Sequence, residues 1–288
     1  RFVLVIPIIG KKKVPFKALK GVSLDIENGM FGLLGPNGAG KSTLMRIICG
    51  ILEQSYGQIT INNIDVAEKR EELQGLIGYL PQEFGMYENM TAWDFLHYMG
   101  ILKKLYNKED RTKRVEYVLK AVHMYDNKDE KIGSFSGGMK QRIGIAQILL
   151  HLPKILVVDE PTAGLDPRER IRFRNLLVEL SKDRIVIFST HIIEDVASSC
   201  NMVAVMKKGE VKYLGAPIKM AKIAEQKVWM FSTSTDEFES LKDNYTIIHH
   251  MKEGDNIRCR CLADEMPTPD AKQVRANLED AYLYLLTN

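Results

Sequence analysis

Apolar and polar positions change rhythm several times along the chain. Residues 20–26 alternate strictly, the mark of a half-buried strand. A turn at Glu27-Asn28-Gly29 then leads into Met30-Phe31-Gly32-Leu33-Leu34, an apolar run short enough for a buried strand. With the apolar start at residues 2–9, read as an edge strand, residues 2–34 are expected to form antiparallel-type strands. Thr43-Leu44-Met45-Arg46-Ile47-Ile48-Cys49 has apolar residues at helical spacing, with Gly50 as its stop. Residues 57–61 alternate again, Asn62-Asn63 turns, and Ile64-Asp65-Val66 completes a hairpin. A charged surface helix at 67–74 and a strand at 76–80 follow, the strand delivering Pro81-Gln82 into a loop.

From residue 91 the period becomes helical. Thr91-Ala92-Trp93-Asp94 forms a capping box for a helix carrying Phe95, Leu96, Met99, Leu102 and Leu105. A second helix over 109–124 turns Val115, Val118, Leu119 and Val122 to one face. The aromatics Trp93, Phe95, Tyr98 and Tyr106 are read as core. Residues 154–160 and 183–189 return to buried parallel-type strands, separated by a helix that opens at Asp166-Pro167-Arg168-Glu169. Strands at 202–206 and 210–213 close this part. Beyond about residue 222 the pattern is βαββα: strand 228–231, helix 236–242, strands 245–251 and 257–262, and helix 278–286.

The expected fold is therefore α/β. A mostly parallel sheet is flanked by helices, with an antiparallel β subdomain, a helical insert at about 91–150, and a small α+β C-terminal appendix. Residues 1–221 and 222–288 are the two expected domains. Composition agrees with a soluble globular chain, at 45% hydrophobic and 27% charged residues. A net charge of +3 favours no acidic partner. The local basic runs, Lys11-Lys12-Lys13 and Lys103, Lys104, Lys108, Arg111, Lys113 and Arg114, are read as solvated faces. Cys49, Cys200, Cys259 and Cys261 are scattered, and Cys259-Arg260-Cys261 is not a zinc spacing, so reduced thiols in a cytosolic protein are expected. His249-His250 is placed on a strand facing solvent. No apolar run approaches the roughly 18 residues of a membrane span. The chain does not begin with Met, which leaves room for a longer polypeptide.

The chemistry centres on Gly35-Pro36-Asn37-Gly38-Ala39-Gly40-Lys41-Ser42-Thr43, which fits the phosphate-loop pattern G-x-x-x-x-G-K-[ST] between a strand and a helix. Its glycines let backbone amides wrap a phosphate, and the new helix adds its positive end. Lys41 would reach the β- and γ-phosphates of a nucleotide, and the Ser42 hydroxyl would ligate magnesium. Asp159, ending an apolar strand, would lie beside this loop and hold the same ion directly or through water. Ser136 is a good N-cap for a second helix whose amide end is another anion site.

The order GPNGAGKST, Pro81-Gln82, Phe135-Ser136-Gly137-Gly138-Met139-Lys140-Gln141-Arg142, ILVVDE, Ala163-Gly164-Leu165-Asp166 and Ser189-Thr190-His191 resembles the nucleotide-binding domain of an ABC transporter, over residues 14 to about 215. The resemblance implies a P-loop NTPase core that hydrolyses ATP with Mg2+. It implies that Glu160 is the general base polarising the attacking water. His191 would contact the γ-phosphate and steady Glu160, and Gln82 would touch magnesium and relay nucleotide state to a membrane partner. Ser136, Gly137, Gly138 and Met139 would face the γ-phosphate bound by a second ATP-binding subunit, with Asp166 in the loop crossing that interface. Phe135 and Met139 depart from the commonest signature, which has Leu and Gln there. For the aromatic that stacks on adenine, Phe16 is the candidate and Ile9 the alternative.

Residues 85–91, 164–167 and 277–282 look like the exporter branch that handles drugs, lipids, polysaccharides or sodium. The expected partners are a second ATP-binding subunit and separate transmembrane permease chains, at the cytoplasmic face of the membrane, with no nucleic acid. The alternative is a soluble ABC-type ATPase acting on ribosomes or DNA. Against it stand the single phosphate loop and the absence of sustained heptads in residues 44–135.

Overall fold

The computed structural model describes residues 17–61, 64–66, 69 and 75–287. Phe16, Ile9, the strand at 2–9, the Lys11-Lys12-Lys13 run, the Asn62-Asn63 turn and all but one residue of the 67–74 helix lie outside them.

Six strands form the central sheet: β1 (Gly29–Leu34), β4 (Ile77–Leu80), β5 (Ile155–Val158), β6 (Ile185–Thr190), β7 (Met202–Lys207) and β8 (Glu210–Gly215). Their order is β4-β5-β6-β1-β7-β8, and all neighbours are parallel except β7 and β8. β2 (Thr60–Ile61) and β3 (Ile64–Asp65) pair as a separate short hairpin. Strand side chains alternate faces, so Phe31, Leu33, Ile155 and Val157 enter one core, while Met30, Leu34, Leu156 and Val158 enter the other. Both faces are covered, which is why these strands read as near-continuous apolar runs.

Helix α1 (Lys41–Ile48) buries Leu44, Met45, Ile47 and Ile48 on the first face. The second face carries α2 (Ala92–Leu102), α3 (Lys108–Ala121), α4 (Gly137–Leu149) and α5 (Pro167–Leu180). Short helices α6 (Ile193–Ala197) and α7 (Pro217–Met220) connect the last strands. After a 3-10 turn at Ala221–Ala224 comes an antiparallel sheet in the order β10-β11-β9-β12. Its strands are β9 (Val228–Ser234), β10 (Thr246–Glu253), β11 (Asn256–Leu262) and the short β12 (Lys272–Gln273), which the sequence pattern did not reveal. α8 (Thr235–Asn244) covers it around Phe231, Phe238 and Ile257, and α9 (Leu278–Thr287) packs back on α6. His249 and His250 are exposed on β10, as expected.

Four expectations are corrected. Residues 29–34, expected among antiparallel-type strands, form β1, which pairs in parallel with both β6 and β7. Residues 20–26 keep their alternation of buried Val22, Leu24 and Ile26 with exposed neighbours, yet form no named strand among the described residues. Phe95 is core, but Tyr98 and Leu102 are 40% and 59% exposed, because α2 is apolar around more of its girth than one packing face can cover, and Tyr106, in the loop beyond that helix, is 71% exposed. The basic run of the insert is only partly solvated. Arg111 donates to the Leu105 and Tyr106 carbonyls and Arg114 to that of Leu150, while Lys103 bonds His151 Nδ1 at 2.9 Å.

Candidate functional site

Parallel strands end at one edge, and here that edge collects the site. The register pairs Leu34 with Thr190, Leu80 with Val158 and Val158 with Phe188. The next residues along, Gly35, Gln82, Asp159, Glu160 and His191, therefore emerge together. Gly35 N donates to the Thr190 carbonyl at 3.2 Å. A Cβ on Gly35 would lie 2.4 Å from the Met206 carbonyl, so any side chain would force the loop off the sheet.

Beyond Gly35 the loop turns through Gly38 and Gly40, both at positive φ, and Gly40 caps α1 without a side chain to occupy the helix's first amides. A cavity of about 390 Å³ opens over that helix end, lined by residues 37–43 with Ala18, Gln82 and Glu160. Its amides and Lys41 make it an anion cradle.

Lys41 is buried. Its Nζ donates to the carbonyls of Gly35 at 2.7 Å and Pro36 at 3.3 Å, and lies 3.1 Å from Glu160 Oε1. Glu160 Oε2 is bonded by His191 Nδ1 at 2.9 Å, whereas Oε1 faces only the Lys41 ammonium, as an ion pair outside good hydrogen-bond geometry. Glu160 sits at φ +46°, a left-handed conformation that a bulky residue keeps only when its surroundings impose it.

One such constraint is Ser189. Its hydroxyl donates to Asp159 Oδ1 at 2.6 Å and accepts from Glu160 N at 2.8 Å, setting both acids at once. Sequence reasoning overlooked Ser189 as a site residue, and only its place two residues before His191 could have flagged it. Residues that could hold a metal are Ser42 and Gln82, which line the cavity, and Asp159, whose Oδ1 accepts from Ser189. Among the described residues no three His, Cys, Asp or Glu side chains cluster to enclose an ion. Few, hard oxygen donors fit magnesium, which keeps waters and takes phosphate oxygens.

The second anion-type site lies apart. Ser136 caps α4 by accepting from Met139 N at 3.2 Å, and Ser136 and Gly137 are exposed outside the cavity above. The departures from the commonest signature pack inward: Phe135 is buried in the core and Met139 lies half-buried against it. Asp166 caps α5, accepting from Arg168 N and Glu169 N at 2.9 and 3.0 Å, and is likewise exposed outside the cavity. On one chain the capped end of α4 and the Asp166 loop are therefore separate from the phosphate-loop cavity.

The C-terminal unit reaches toward this edge as well. Burial first, and the charge of Glu160 second, push the Tyr282 hydroxyl up to about 12.

The sequence profile of the ABC transporter family matches residues 19–163. The ABC transporter ATP-binding protein NatA of Bacillus subtilis is 42% identical over 209 residues, 72% of this chain and 84% of NatA. The Bacillus subtilis ABC transporter ATP-binding protein YxlF is 41% identical over 200 residues, covering 69% of this chain and 66% of YxlF, about two thirds of its length. Among solved structures, cbiO1 from Clostridium perfringens, part of the ABC transporter complex cbiONQ, matches with a TM-score of 0.69 at 30% identity, over 84% of this chain and 94% of cbiO1. The dimeric post-hydrolysis ATP-binding cassette MJ0796, bound to ADP and Pi, matches with a TM-score of 0.65 at 27% identity, over 75% of this chain and 97% of that one.

Proposed function

The chain belongs to the ABC transporter family of ATP-binding proteins, and we propose that it is the motor subunit that couples ATP-driven dimer closure to export by separate membrane-spanning chains. The observation that carries the reading is the convergence of Lys41, Glu160 and His191 on one phosphate cradle.

In this reading the amides of residues 35–43 and the Lys41 ammonium hold the β- and γ-phosphates of ATP. Ser42, Gln82 and Asp159 hold Mg2+, which neutralises phosphate charge when bound. Glu160 polarises the attacking water. Its Oε2 is kept by His191, so Oε1 is the atom that takes the proton once Lys41 turns to phosphate. Ser136, Gly137, Gly138 and Met139, lying outside their own chain's cavity, complete the site of a second ATP-binding subunit, and Asp166 crosses that interface. The dimeric MJ0796 cassette supports such a pairing.

Among the described residues no helix is long and apolar enough to cross a membrane. In this reading the spanning partner is a separate permease, with the ATP-binding subunit docked at its cytoplasmic face. The exposed Tyr87, Tyr98, Ile101 and Leu102 support docking of such a partner on the helical insert. Residues 1–221 form the ATP-binding domain in this proposal and residues 222–288 a small α+β appendix. Transporter relatives favour this reading over a soluble factor acting on ribosomes or DNA.

Glu160→Gln tests the catalytic assignment. Its steady-state turnover should fall at least about 100-fold, the scale of a lost general base, while ATP still binds. Undiminished turnover would remove Glu160 from that role. The same variant, tagged and purified from membranes with ATP and magnesium, should bring a polytopic membrane protein with it. Ribosomes or nucleic acid in its place would promote the soluble factor.

A further inference from the structure

Asp195 has no exposed surface, lies on α6 four residues beyond His191, and is far from either anion cradle in sequence. A carboxylate pays heavily for leaving water unless charges and hydrogen bonds replace its hydration. Its replacements come from two other elements. Oδ2 accepts from Thr162 Oγ1 at 2.8 Å, and Thr162 is itself buried, two residues beyond Glu160. Oδ1 faces Arg174 Nη1 at 3.4 Å and Arg170 Nε at 3.7 Å. Both arginines belong to α5, the helix capped by Asp166. The backbone carbonyl of Asp195 is bonded by the Ser199 hydroxyl, which keeps the short helix closed behind it.

Three segments thus meet at one carboxylate: the loop after Glu160, the helix after Asp166, and the helix after His191. Stability alone is a poor reason for such a cluster, since apolar side chains of similar volume often stabilise as well as a buried ion pair. Position is a better one. Glu160 holds a left-handed φ of +46° and needs constraints on both sides. Ser189 supplies one at its own amide, and the Thr162–Asp195 bond supplies the next, two residues downstream. We propose that Asp195 is a positioning residue for ATP hydrolysis: it ties the Glu160 loop to α5 and α6, so that Glu160, His191 and the Asp166 loop keep one register. Asp195 touches none of the reacting atoms and acts through Thr162 and the two arginines.

The proposal rests on the ATPase reading above. It is tested in the full chain with Asp195→Asn, which keeps an oxygen for Thr162 but removes the charge facing Arg170 and Arg174. Thr162→Val removes only the loop's link, and Asp195→Glu keeps the charge. Asp195→Asn and Thr162→Val should each lower kcat about tenfold or more, as small misplacements of a catalytic group do. KM for ATP should stay within about twofold of wild type in both. The double variant should lose no more than the worse single one, as expected of residues acting through one link, and Asp195→Glu should recover part of kcat. Thermal melting of each variant establishes that folded protein is compared, and Thr162→Val carries the test if Asp195→Asn does not fold.

Unchanged kcat in Thr162→Val, or losses in kcat and affinity that track lost folding, would overturn the proposal. Wild type and Glu160→Gln run alongside separate the two possible failures. If those two hydrolyse ATP equally, the catalytic reading falls and this proposal with it. If they differ as expected while Asp195→Asn and Thr162→Val both turn over normally, only this proposal falls.

Discussion

Two aspartates with no exposed surface, Asp195 in the ATP-binding part and Asp280 in the C-terminal unit, are held by arginines in opposite styles. Asp280 takes Arg260 in both oxygens at 2.9 and 2.6 Å, accepts Asn277 N at 2.6 Å, and Arg260 in turn bonds the Arg275 carbonyl. Everything there is short, bidentate and internal to residues 256–287, a geometry that fastens α9 to β11. Asp195 divides its oxygens between a 2.8 Å bond from Thr162 and longer contacts to Arg170 and Arg174, on elements that each carry a site residue.

Glu160 occupies the left-handed region beside the chemistry, and the C-terminal unit has such a residue of its own in Gln226, in the turn ahead of β9. Such a residue costs about 1–3 kcal/mol and persists where neighbours over-determine it. The same buried charge chemistry fastens in one region and positions in the other.

The largest expected effect tests the fastening side. Asp280→Ala leaves Arg260 without its partner and should cost about 3–5 kcal/mol of stability in urea unfolding. Turnover per folded molecule should be kept. If turnover collapses while the fold survives, the C-terminal unit is part of the catalytic apparatus and the contrast fails. The Tyr282 hydroxyl, within the electrostatic reach of Glu160, makes that outcome worth measuring.

Next comes Lys41→Ala, which should weaken ATP binding at least roughly 100-fold, equivalent to one or two charge-assisted hydrogen bonds, in an equilibrium titration. Stability should change less than in Asp280→Ala. Retained ATP affinity would show that the loop amides alone hold the phosphates.

The smallest effect is with pH. Burial first, and the Lys103 charge second, hold His151 below its ordinary value of 6.5. Its Nδ1 accepts from Lys103 Nζ and its Nε2 donates to the Ile77 carbonyl, an arrangement open only to the neutral ring. The unfolded chain therefore takes up the proton first as pH falls. The stability His151 contributes is complete above about 6.5 and is lost as pH drops through that value. Burial, then the charge of Arg111, lowers His97 likewise. Amide protection, taken relative to the intrinsic exchange rate at each pH, should accordingly fall on going from about pH 7.5 to about pH 5.5, and more in the helical insert than in residues 228–287. His151→Gln should blunt the difference, and an equal fall in protection in both regions would refute it.

Much of the site was legible because its residues are neighbours in sequence. The phosphate loop is one continuous stretch, Asp159 and Glu160 end one apolar strand, and the caps Thr91, Ser136 and Asp166 act on residues two or three positions away. Local hydrogen bonds and short periods leave their mark on local sequence. The exposed Tyr98 and Tyr106 were misread for the converse reason, since periodicity shows that a face is apolar without showing whether anything covers it.

What the sequence by itself determined is the chemistry: a loop that wraps phosphate, acids at strand ends, a second capped anion site, and strands apolar enough to be buried on both faces. Only the tertiary structure decided how these groups meet. The parallel register brings Gly35, Asp159 and His191 to one edge, Ser189 sets two acids thirty residues upstream, and Asp195 joins Thr162 to Arg170 and Arg174. A polar residue in an apolar stretch looks the same whether its partner is near or far. Its partner is chosen by which elements pack together, and the burial that excludes water is what makes that choice consequential.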